Sequence, residues 1–482
     1  MEEGKTRLLV DLGGDPAHLA SITFEPRDLQ GLRALIITHA HFDHYGGIFD
    51  FFLEASAMKY LPAIFCTETT KQFLLQFGYK EWLQFGTGSH SLDAAGQRDF
   101  FKALQQKIAT LSYGQTYRLG DIEILLLPSS HILGSIQVYI RSSFAEGLIT
   151  SDFKPSGTTL LRAFDVQYIS ETFNVNLKPD FIVIESTYGK NAIERDAGAV
   201  ESQIVNSIRE VFENGGNLLV PCFAIGRAQE FMTYYYRLLN QHACITPLNV
   251  YFIGATSKAT KIYVDSAKTR QGDAIALHDD AKSRLEWVNL PSIRDFESHF
   301  KKIGARGDLR QKVSLVKENG FNVFITSGGM LQGPALELFM ELKDDPRNAL
   351  FLIGYQANGT SGHALAEAAD SPDARKNLLF DGRQLSIDQS EAHAISRLGN
   401  SNRKYQALDF RFKVLQFSIF SAHATFTEKM GYLADFSRIT NDKRIRVFST
   451  HGIEGNCIEL AKEVETIGFN GTAPSTNETF TI

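Results

Sequence analysis

Four side chains that can bind a metal ion stand within one short stretch of the chain. His39, His41, Asp43 and His44 follow the apolar run 34–37 and precede two glycines. Because side chains two positions apart point the same way on an extended strand end, His39 and His41 can bind one ion. Asp43 and His44, in the turn that follows, project elsewhere and can bind a second ion. Nitrogen and carboxylate ligands without thiolates favour Zn²⁺, with Mn²⁺ as the competing ion.

Four further ligand-type side chains each follow an apolar run elsewhere in the chain. They are Asp11 after 8–10, His131 after 125–127, Asp152 after 148–151 and His451 after 447–450. Taken singly, each is more typical of a loop residue or a helix N-cap. Together they form a series of strand-end ligands, which is how an active site is built along one edge of a sheet.

Short apolar runs predict the strands that carry these side chains, and amphipathic stretches predict the helices between them. In the N-terminal part, the predicted strands are 8–10, 35–37, 122–127, 136–140 and 181–184, and the predicted helices include 48–57 and 100–110. After residue 193, strand, Gly-rich turn and helix follow one another, with predicted helices at 199–212 and 228–239 and strands at 217–220, 323–326 and 349–353. This order predicts a parallel α/β domain. Strands at 412–419 and 444–448 follow it.

The predicted organisation is therefore an outer sheet domain, 1–192 and 412–482, interrupted by an insertion at 193–411. The formal net charge of −6 argues against an extended basic arm for nucleic acid. Apolar runs fall short of the ~20 residues of a membrane span, and the acidic N-terminus is untypical of a signal peptide. The four cysteines lack CxxC spacing, which favours a reducing, cytoplasmic location.

Further segments resemble the metallo-β-lactamase superfamily, and more narrowly its β-CASP nucleic-acid-processing branch. They are ESTYG at 185–189, PCFAIGRAQE at 221–230, SGGMLQGP at 327–334, GYQANGT at 354–360, FSAH at 420–423 and HG at 451–452. Their order and spacing are more specific than any one of them. The resemblance implies an α/β fold, namely a metallo-β-lactamase αββα sandwich with an inserted β-CASP α/β domain.

The resemblance also implies a role for each candidate site residue. His39, His41 and His131 would hold one zinc ion, Asp43, His44 and His451 a second, with Asp152 bridging the two. Asp11 would orient a ligand histidine by accepting its other N–H. Glu185 would pair with His423, which would lie beside the scissile phosphate as an acid or a charge stabiliser.

Two ions that share a bridging water lower its pKa, so the expected nucleophile is hydroxide and the expected reaction is hydrolysis of RNA phosphodiester bonds. The branch's RNA-processing members carry histidine in the final motif, as His451 does here, and single-stranded RNA is the expected substrate. Dimers are common in such families, so a homodimer is one expected assembly. The Gly-rich turns would offer backbone N–H groups to phosphates, or serve only to reverse the chain. The residues in question are Ser327, Gly328, Gly359 and Thr360, with Arg227 as either a phosphate contact or a structural ion pair.

Several positions depart from the family pattern. The chain begins almost at the first aspartate motif, so the N-terminal hairpin of the family is expected to be absent or to lie upstream. Ser130 and Ser151 stand where many members carry glycine, Thr425 stands where members often carry an acid, and Ile453 separates HG from Glu454. The last two changes lie near the leaving-group chemistry, so altered activity is an open alternative.

Two other functions compete with RNA cleavage. One is hydrolysis of a small ester or thioester, which the long insertion disfavours because small-substrate enzymes lack such a lid. The other is a catalytically weakened RNA-binding subunit, which the complete set of seven metal ligands disfavours. Bound metal separates these cases, since an enzyme is expected to hold two ions per chain.

Overall fold

The computed structural model describes residues 6–13, 31–57, 62–85, 91–190, 197–242, 245–269, 272–354, 356, 358–387, 406–417, 419–440, 445–476 and 478–481. Internal contacts divide the chain into two compact units. Unit 1 consists of Met1–Glu194, Asp265–Asp279 and Ala422–Ile482, and unit 2 of Arg195–Val264 and Asp280–Ser421.

The strands and helices are numbered in chain order. The strands are β1 Arg7–Val10, β2 Leu32–Ile36, β3 Ala63–Cys66, β4 Ile108–Thr110, β5 Thr116–Leu119, β6 Ile122–Pro128, β7 Ile136–Arg141, β8 Glu146–Ile149, β9 Phe181–Glu185, β10 Leu218–Cys222, β11 Asn249–Ile253, β12 Ile293–Asp295, β13 Asn322–Ser327, β14 Ala349–Leu352, β15 Leu379–Phe380, β16 Leu385–Ser386, β17 Gln406–Ala407, β18 Lys413–Gln416, β19 Arg446–Thr450 and β20 Asn470–Thr472. The helices are α1 Phe42–Tyr45, α2 Ile48–Ala57, α3 Glu68–Phe73, α4 Tyr79–Phe85, α5 Ala94–Lys107, α6 Val166–Phe173, α7 Ala197–Glu213, α8 Arg227–Gln241, α9 Thr256–Thr269, α10 Ala281–Arg284, α11 Phe296–Lys302, α12 Leu309–Ser314, α13 Pro334–Leu342, α14 Ser361–Asp370, α15 Pro372–Lys376, α16 Phe426–Thr440 and α17 Glu454–Glu463. A π-helical turn, Leu74–Gly78, joins α3 to α4, and 3₁₀ turns span Gly272–Ala276, Glu286–Asn289 and Val464–Ile467.

Unit 1 contains two sheets with helices on their outer sides. One sheet has the order β1-β2-β3-β4 with parallel pairing, and the other has the order β20-β19-β9-β8-β7-β6-β5 with mixed pairing. Aromatic side chains of α2 and the single tryptophan of α4 pack into the core beside the first sheet. Helix α17 packs against β19 and β20, and α16 contacts α6. These layers confirm the expected α/β architecture. They form because the strands and helices bury their apolar side chains against one another.

Unit 2 is built on a parallel sheet with the order β12-β11-β13-β10-β14-β18. Every residue of β10, β11 and β14 is buried, which is typical of a parallel sheet covered by helices on both faces. A small antiparallel sheet, β16-β15-β17, lies within the same unit. The parallel α/β texture expected for this part of the chain is therefore present.

Among the described residues, the contact units differ from the predicted domain ranges at two places, and those ranges stay a prediction. Residues 412–421 group with unit 2, because β18 pairs with β14. The segment Asp265–Asp279 groups with unit 1. Within unit 1, Asp273 Oδ2 accepts a hydrogen bond from Thr69 N at 2.6 Å, and Leu161 pairs with Leu277 as a β-bridge.

The predicted helix 100–110 is wrong over its last three residues. They form β4, in which Ile108 pairs with Ile64 of β3. An apolar run after a helix does not distinguish one more helical turn from a short strand, and here the sheet edge decides the outcome. Within the described residues, no helix is long and apolar enough to cross a membrane.

Candidate metal centre

The first group of metal-ligand side chains comes from three loops of unit 1. His39 and His41 lie between β2 and α1, His131 lies between β6 and β7, and Asp152 follows β8. One ligand atom from each of these four residues lies within 4.8 Å of the other three. His39, His131 and Asp152 are buried, and His41 is half-buried.

The spacing of these atoms matches a tetrahedral metal site. His39 Nε2 lies 3.2 Å from His41 Nδ1, which lies 3.0 Å from His131 Nε2. Asp152 Oδ2 lies 3.6 Å from His39 Nε2 and 3.5 Å from His131 Nε2. Ligand atoms ~2.05 Å from a tetrahedral Zn²⁺ would be ~3.3 Å from one another. Three imidazole nitrogens that face each other at such distances fit a shared cation better than mutual hydrogen bonds.

A second group, Asp43, His44 and His451, lies beside the first. Asp43 and His44 belong to the short helix α1, where the sequence predicted only a turn, and His451 follows β19. His44 Nε2 lies 3.0 Å from His451 Nε2, and Asp43 Oδ2 lies 3.7 Å and 3.5 Å from these two nitrogens. Consecutive residues of a helix are about 100° apart, whereas on a strand they point to opposite faces, so the helical turn lets Asp43 and His44 reach the same region.

Asp152 connects the two groups. Its Oδ2 lies 3.4 Å from His44 Nε2, and its Oδ1 lies 3.2 Å from His451 Nδ1. Within the described part of the chain Oδ1 is buried and accepts no hydrogen bond. A buried carboxylate oxygen without a hydrogen bond is costly unless a cation compensates for it, so the residues fit a site for two metal ions.

Asp11 lies where the sequence places it, behind a ligand histidine. Its Oδ2 is 2.7 Å from His44 Nδ1 and accepts a hydrogen bond from Thr38 Oγ1 at 2.7 Å. Its Oδ1 accepts a second bond from Thr38 N at 2.7 Å. Thr38 Oγ1 also lies 3.1 Å from His39 Nδ1 and 2.7 Å from Ser151 Oγ. Asp11 therefore contacts His44 directly, and Thr38 connects Asp11 to His39. Sequence reasoning missed Thr38, whose position directly before His39 was the available signal.

The backbone is strained at four positions of the site. Asp11, Ser130, Ser151 and His451 have φ values of 60°, 58°, 51° and 52°. Left-handed backbone costs a non-glycine residue roughly 1–2 kcal/mol, and such strain clusters at functional sites. Glycine adopts this conformation without strain, which is consistent with the glycine that the family resemblance implies at the positions of Ser130 and Ser151. Ser130 Oγ donates to Arg162 O at 2.6 Å, which offsets part of the cost.

Charge within the cluster is divided unequally. Burial lowers the pKa of His39 well below its usual value, aided by the charges of His44 and His131. Burial alone would raise the pKa of Asp152, but the imidazole charges of His451 and His44 outweigh it and hold that pKa well below its usual value. A neutral imidazole and an ionised carboxylate are the forms that bind metal.

Glu185 and His423 are brought together at the edge of this cluster. Glu185 ends β9 and is buried, and its Oε1 lies 3.4 Å from His423 Nδ1. His423 Nδ1 also lies 3.9 Å from Asp152 Oδ2, and the side chain is 17% exposed. Because Nδ1 faces the two carboxylates, Nε2 is the ring atom directed away from them. His423 can therefore hold a proton toward a substrate that reaches the site.

The two departures next to these motifs have different structural meanings. Thr425 forms a capping box with Glu428: Glu428 N donates to Thr425 Oγ1 at 3.2 Å, and Thr425 N donates to Glu428 Oε2 at 2.7 Å. Thr425 thus starts helix α16 and needs no acid at its position. Ile453 is 65% exposed at the N-cap of α17, where it makes no side-chain cap bond. Nothing in the structure explains an isoleucine there.

The residues predicted to contact phosphates all belong to unit 2, whereas Glu185 and His423 belong to unit 1. Ser327 ends β13, Thr360 caps α14 by accepting a bond from His363 N at 3.3 Å, and Arg227 is buried at the start of α8. The two Gly-rich turns meet, because Gly362 N donates to Met330 O at 3.0 Å. Gln356 Nε2 joins the same turns by donating to Gly329 O at 2.9 Å and Gly354 O at 3.1 Å.

Comparison with known proteins agrees with the two-unit architecture. The Metallo-beta-lactamase superfamily model matches residues 1–114, and the Beta-Casp domain model matches residues 228–365. The transcription termination factor FttA of Pyrococcus abyssi is 27% identical over 457 residues, which cover 93% of this chain and 62% of that protein. An RNase J-like protein of Methanocaldococcus jannaschii is 27% identical over 399 residues, 81% of this chain and 82% of that protein.

A eukaryotic relative extends the comparison. The endoribonuclease YSH1 of Yarrowia lipolytica is 25% identical over 398 residues, 80% of this chain and 44% of that protein. The chain thus spans about three fifths of the FttA protein it matches. The two family matches follow one another along the chain, and the first contains Asp11 and the ligand motif at 39–44. The chain belongs to the metallo-β-lactamase superfamily, in the branch that carries a Beta-Casp domain.

Proposed function

We propose that this chain hydrolyses RNA phosphodiester bonds with two metal ions bound in unit 1. The observation that carries the proposal is the convergence of seven ligand-type side chains into two groups that share Asp152. His39, His41 and His131 would hold the first ion, and Asp43, His44 and His451 the second. Zn²⁺ suits this nitrogen and carboxylate donor set best, with Mn²⁺ as the alternative.

When bound, two metal ions would lower the pKa of a water that serves as the nucleophile and would neutralise charge on the phosphate. The chain's own residues do the remaining work. Asp11 fixes the ring of His44 by its 2.7 Å contact with Nδ1. Glu185 holds Nδ1 of His423, whose Nε2 would give a proton to the leaving oxygen. The burial of Glu185 strengthens this contact, because electrostatic interactions of a buried carboxylate are screened less by solvent.

Several finer points belong to the same proposal. RNA is favoured because relatives of this chain are named as RNases, and single-stranded RNA is proposed because it can enter a site formed by short loops. The joined Gly-rich turns of unit 2 are proposed to offer N–H groups to phosphates, together with Thr360 and Arg227. A cytoplasmic location is proposed because Cys66, Cys222 and Cys457 are free thiols. A homodimer is a proposal that rests on the family alone.

The experiment is cleavage of a 5′-labelled single-stranded RNA and a DNA of the same sequence, with and without a chelator. We expect the protein to cleave RNA. The chelator should abolish this cleavage, and added Zn²⁺ or Mn²⁺ should restore it. The ladder of labelled products distinguishes endonucleolytic cuts from removal of single nucleotides. RNA that stays intact with metal-loaded, folded protein contradicts the proposal.

Assays of the same purified protein distinguish RNA cleavage from the two competing functions. Turnover of a generic thioester without any cleavage of RNA or DNA would favour a small-substrate hydrolase. Metal-free, folded protein that retains RNA without cutting it would favour an RNA-binding subunit. The overlapping ligand groups around Asp152 are the reason to rank hydrolysis of RNA above both.

A further inference from the structure

A buried lysine beside the proposed site has no role in the ligand set or in the Glu185–His423 pair. Lys429 lies in the first turns of α16 and has no exposed surface. Its Nζ donates to Tyr188 O at 2.8 Å, across 241 residues of sequence. Lysine is almost never fully buried unless it is paired, so a specific contact must compensate for the lost hydration.

The carbonyl that Lys429 binds belongs to the loop that directly follows Glu185. Glu185 Oε2 accepts a bond from Thr187 N at 2.9 Å, and Oε1 accepts one from Ala424 N at 3.2 Å. The ring of Tyr188 packs edge-on against the ring of His423, with 6.1 Å between centroids and 83° between planes. Lys429 therefore ties to α16 the segment that supplies both the carboxylate and an aromatic neighbour of His423.

Charge gives the same residue a second link to Glu185. Burial raises the pKa of Glu185, but the charges of His423 and then Lys429 outweigh it and leave the pKa below its usual value. Burial lowers the pKa of Lys429, and the nearby Glu185 carboxylate opposes that change. Glu185 and Asp152 are both buried carboxylates, so a buried ammonium on this side reduces their mutual repulsion.

We propose that Lys429 is a positioning residue for the leaving-group step: it holds Tyr188 by its carbonyl and balances Glu185, so that His423 keeps its orientation. The proposal rests on the proposed function, because His423 matters only if a phosphodiester is cleaved. Lys429 would touch no substrate. Its effect should therefore appear in the rate of the step that needs a proton, and neither in binding nor in metal content.

Two substitutions separate the contributions of Lys429. K429M removes the charge and the hydrogen bond, whereas K429Q retains a donor for Tyr188 O without the charge. We expect kcat for RNA to fall on the order of tenfold to a hundredfold in K429M and less in K429Q, with KM and bound metal unchanged. Lys71 is the matched control, since its Nζ also donates to a backbone carbonyl, that of Ile108 in β4, at 2.6 Å. K71M should leave kcat unchanged.

A second substrate makes the test specific for the leaving group. Bis(p-nitrophenyl) phosphate releases a good leaving group that needs no proton, so K429M should cleave it at a rate close to that of the wild type. Equal loss on both substrates, or loss of metal, would overturn the proposal in favour of a structural role. Unchanged kcat for RNA would also overturn it. A wild type that cleaves neither substrate refutes the proposed function instead.

A double-mutant cycle protects the test against poor folding of K429M. In an E185Q background, no carboxylate charge remains for Lys429 to balance. K429Q should therefore lower kcat by less than about twofold there, compared with its larger effect in the wild type. Full additivity of E185Q and K429Q would contradict the coupling.

Discussion

The two units use their functional motifs in different ways. In unit 1, side chains from separate strand ends converge, and the buried carboxylate of Asp152 faces the imidazoles of four histidines at 3.2–3.6 Å. In unit 2, the glycines of the motif at 327–334 mainly allow the backbone to pack closely. A Cβ at Gly328 would lie 2.1 Å from Gln332 O, and one at Gly329 would lie 2.9 Å from Phe223 N. The difference teaches that a motif of ligand side chains predicts chemistry directly, whereas a glycine motif first predicts a tight turn.

The largest expected effect comes from removing a buried ligand in unit 1. His39→Ala should lower RNA cleavage by at least about a thousandfold, because the first ion loses one of its nitrogen ligands. Cleavage rate and bound metal should be measured together. His278→Ala is the control, since His278 lies in the same unit and belongs to neither ligand group, and its Nε2 lies 3.1 Å from Thr158 O. Equal activity of the two variants would contradict the metal assignment.

Asp11→Asn should have a smaller effect on the same centre. The amide removes the negative charge facing His44 Nδ1, so metal affinity should fall about 10- to 100-fold. Competition with a chromogenic chelator measures this affinity. Asp50→Asn is the control variant. Asp50 also accepts a hydrogen bond from a ring nitrogen, Trp82 Nε1 at 2.9 Å, but it is not part of the ligand set. Similar affinities in the two variants would show that Asp11 does not orient a ligand.

A pair of glycine and serine substitutions tests the role of the backbone in each unit. Gly328→Ala should destabilise the protein by about 2–4 kcal/mol, because its φ is 100° and the new Cβ would clash with Gln332 O. Ser130→Gly should change stability by less than about 1 kcal/mol, since relief of strain offsets the lost bond to Arg162 O. Denaturant unfolding measures both. Equal destabilisation would remove the distinction between the units.

The last prediction concerns a buried carboxylate outside the site. Burial raises the pKa of Glu81 to about 7, and its Oε2 has no hydrogen-bond partner among the described residues. The native state therefore binds this proton more tightly than the unfolded chain, and stability falls as the pH rises from about 4.5 to about 7. Glu81→Gln should stabilise the protein by about 2 kcal/mol at pH 8 and by little at pH 4.

The control for this prediction is Glu68→Gln, because Glu68 is exposed. Unfolding free energies of both variants should be measured across the pH range. A stability gain in Glu81→Gln that does not depend on pH would contradict the role of the buried charge. Set beside Glu185, which has a lowered pKa, the result would show that partners rather than burial decide the charge of a carboxylate.

The metal centre could be predicted largely because its ligands are recognisable by type. Histidine and aspartate at the ends of apolar runs are unusual enough that His39, Asp152 and His451 could be named before any contact was known. The helical turn at Asp43 and His44 could not be predicted, since four residues carry no clear period. The order and parallel pairing of the sheets follow from the strand and helix pattern only in outline.

Contacts between distant parts of the chain could not be predicted at all. The bond between Lys429 and Tyr188 joins residues 241 apart, and a lysine in a helix is usually solvated. The left-handed backbone at Ser130 and Ser151 is likewise set by the surrounding loops rather than by serine itself. The placement of Asp273 beside Thr69, far from it in sequence, has the same cause.

Metal analysis of the purified chain tests the central claim most directly. The full chain, freed of loosely bound ions by gel filtration, should be measured by elemental mass spectrometry beside the Asp152→Asn variant. The account predicts about two Zn²⁺ or Mn²⁺ ions per chain in the wild type, and clearly fewer in the variant, because Asp152 contacts both ligand groups. Folded wild-type protein that binds neither metal after incubation with each ion would contradict it.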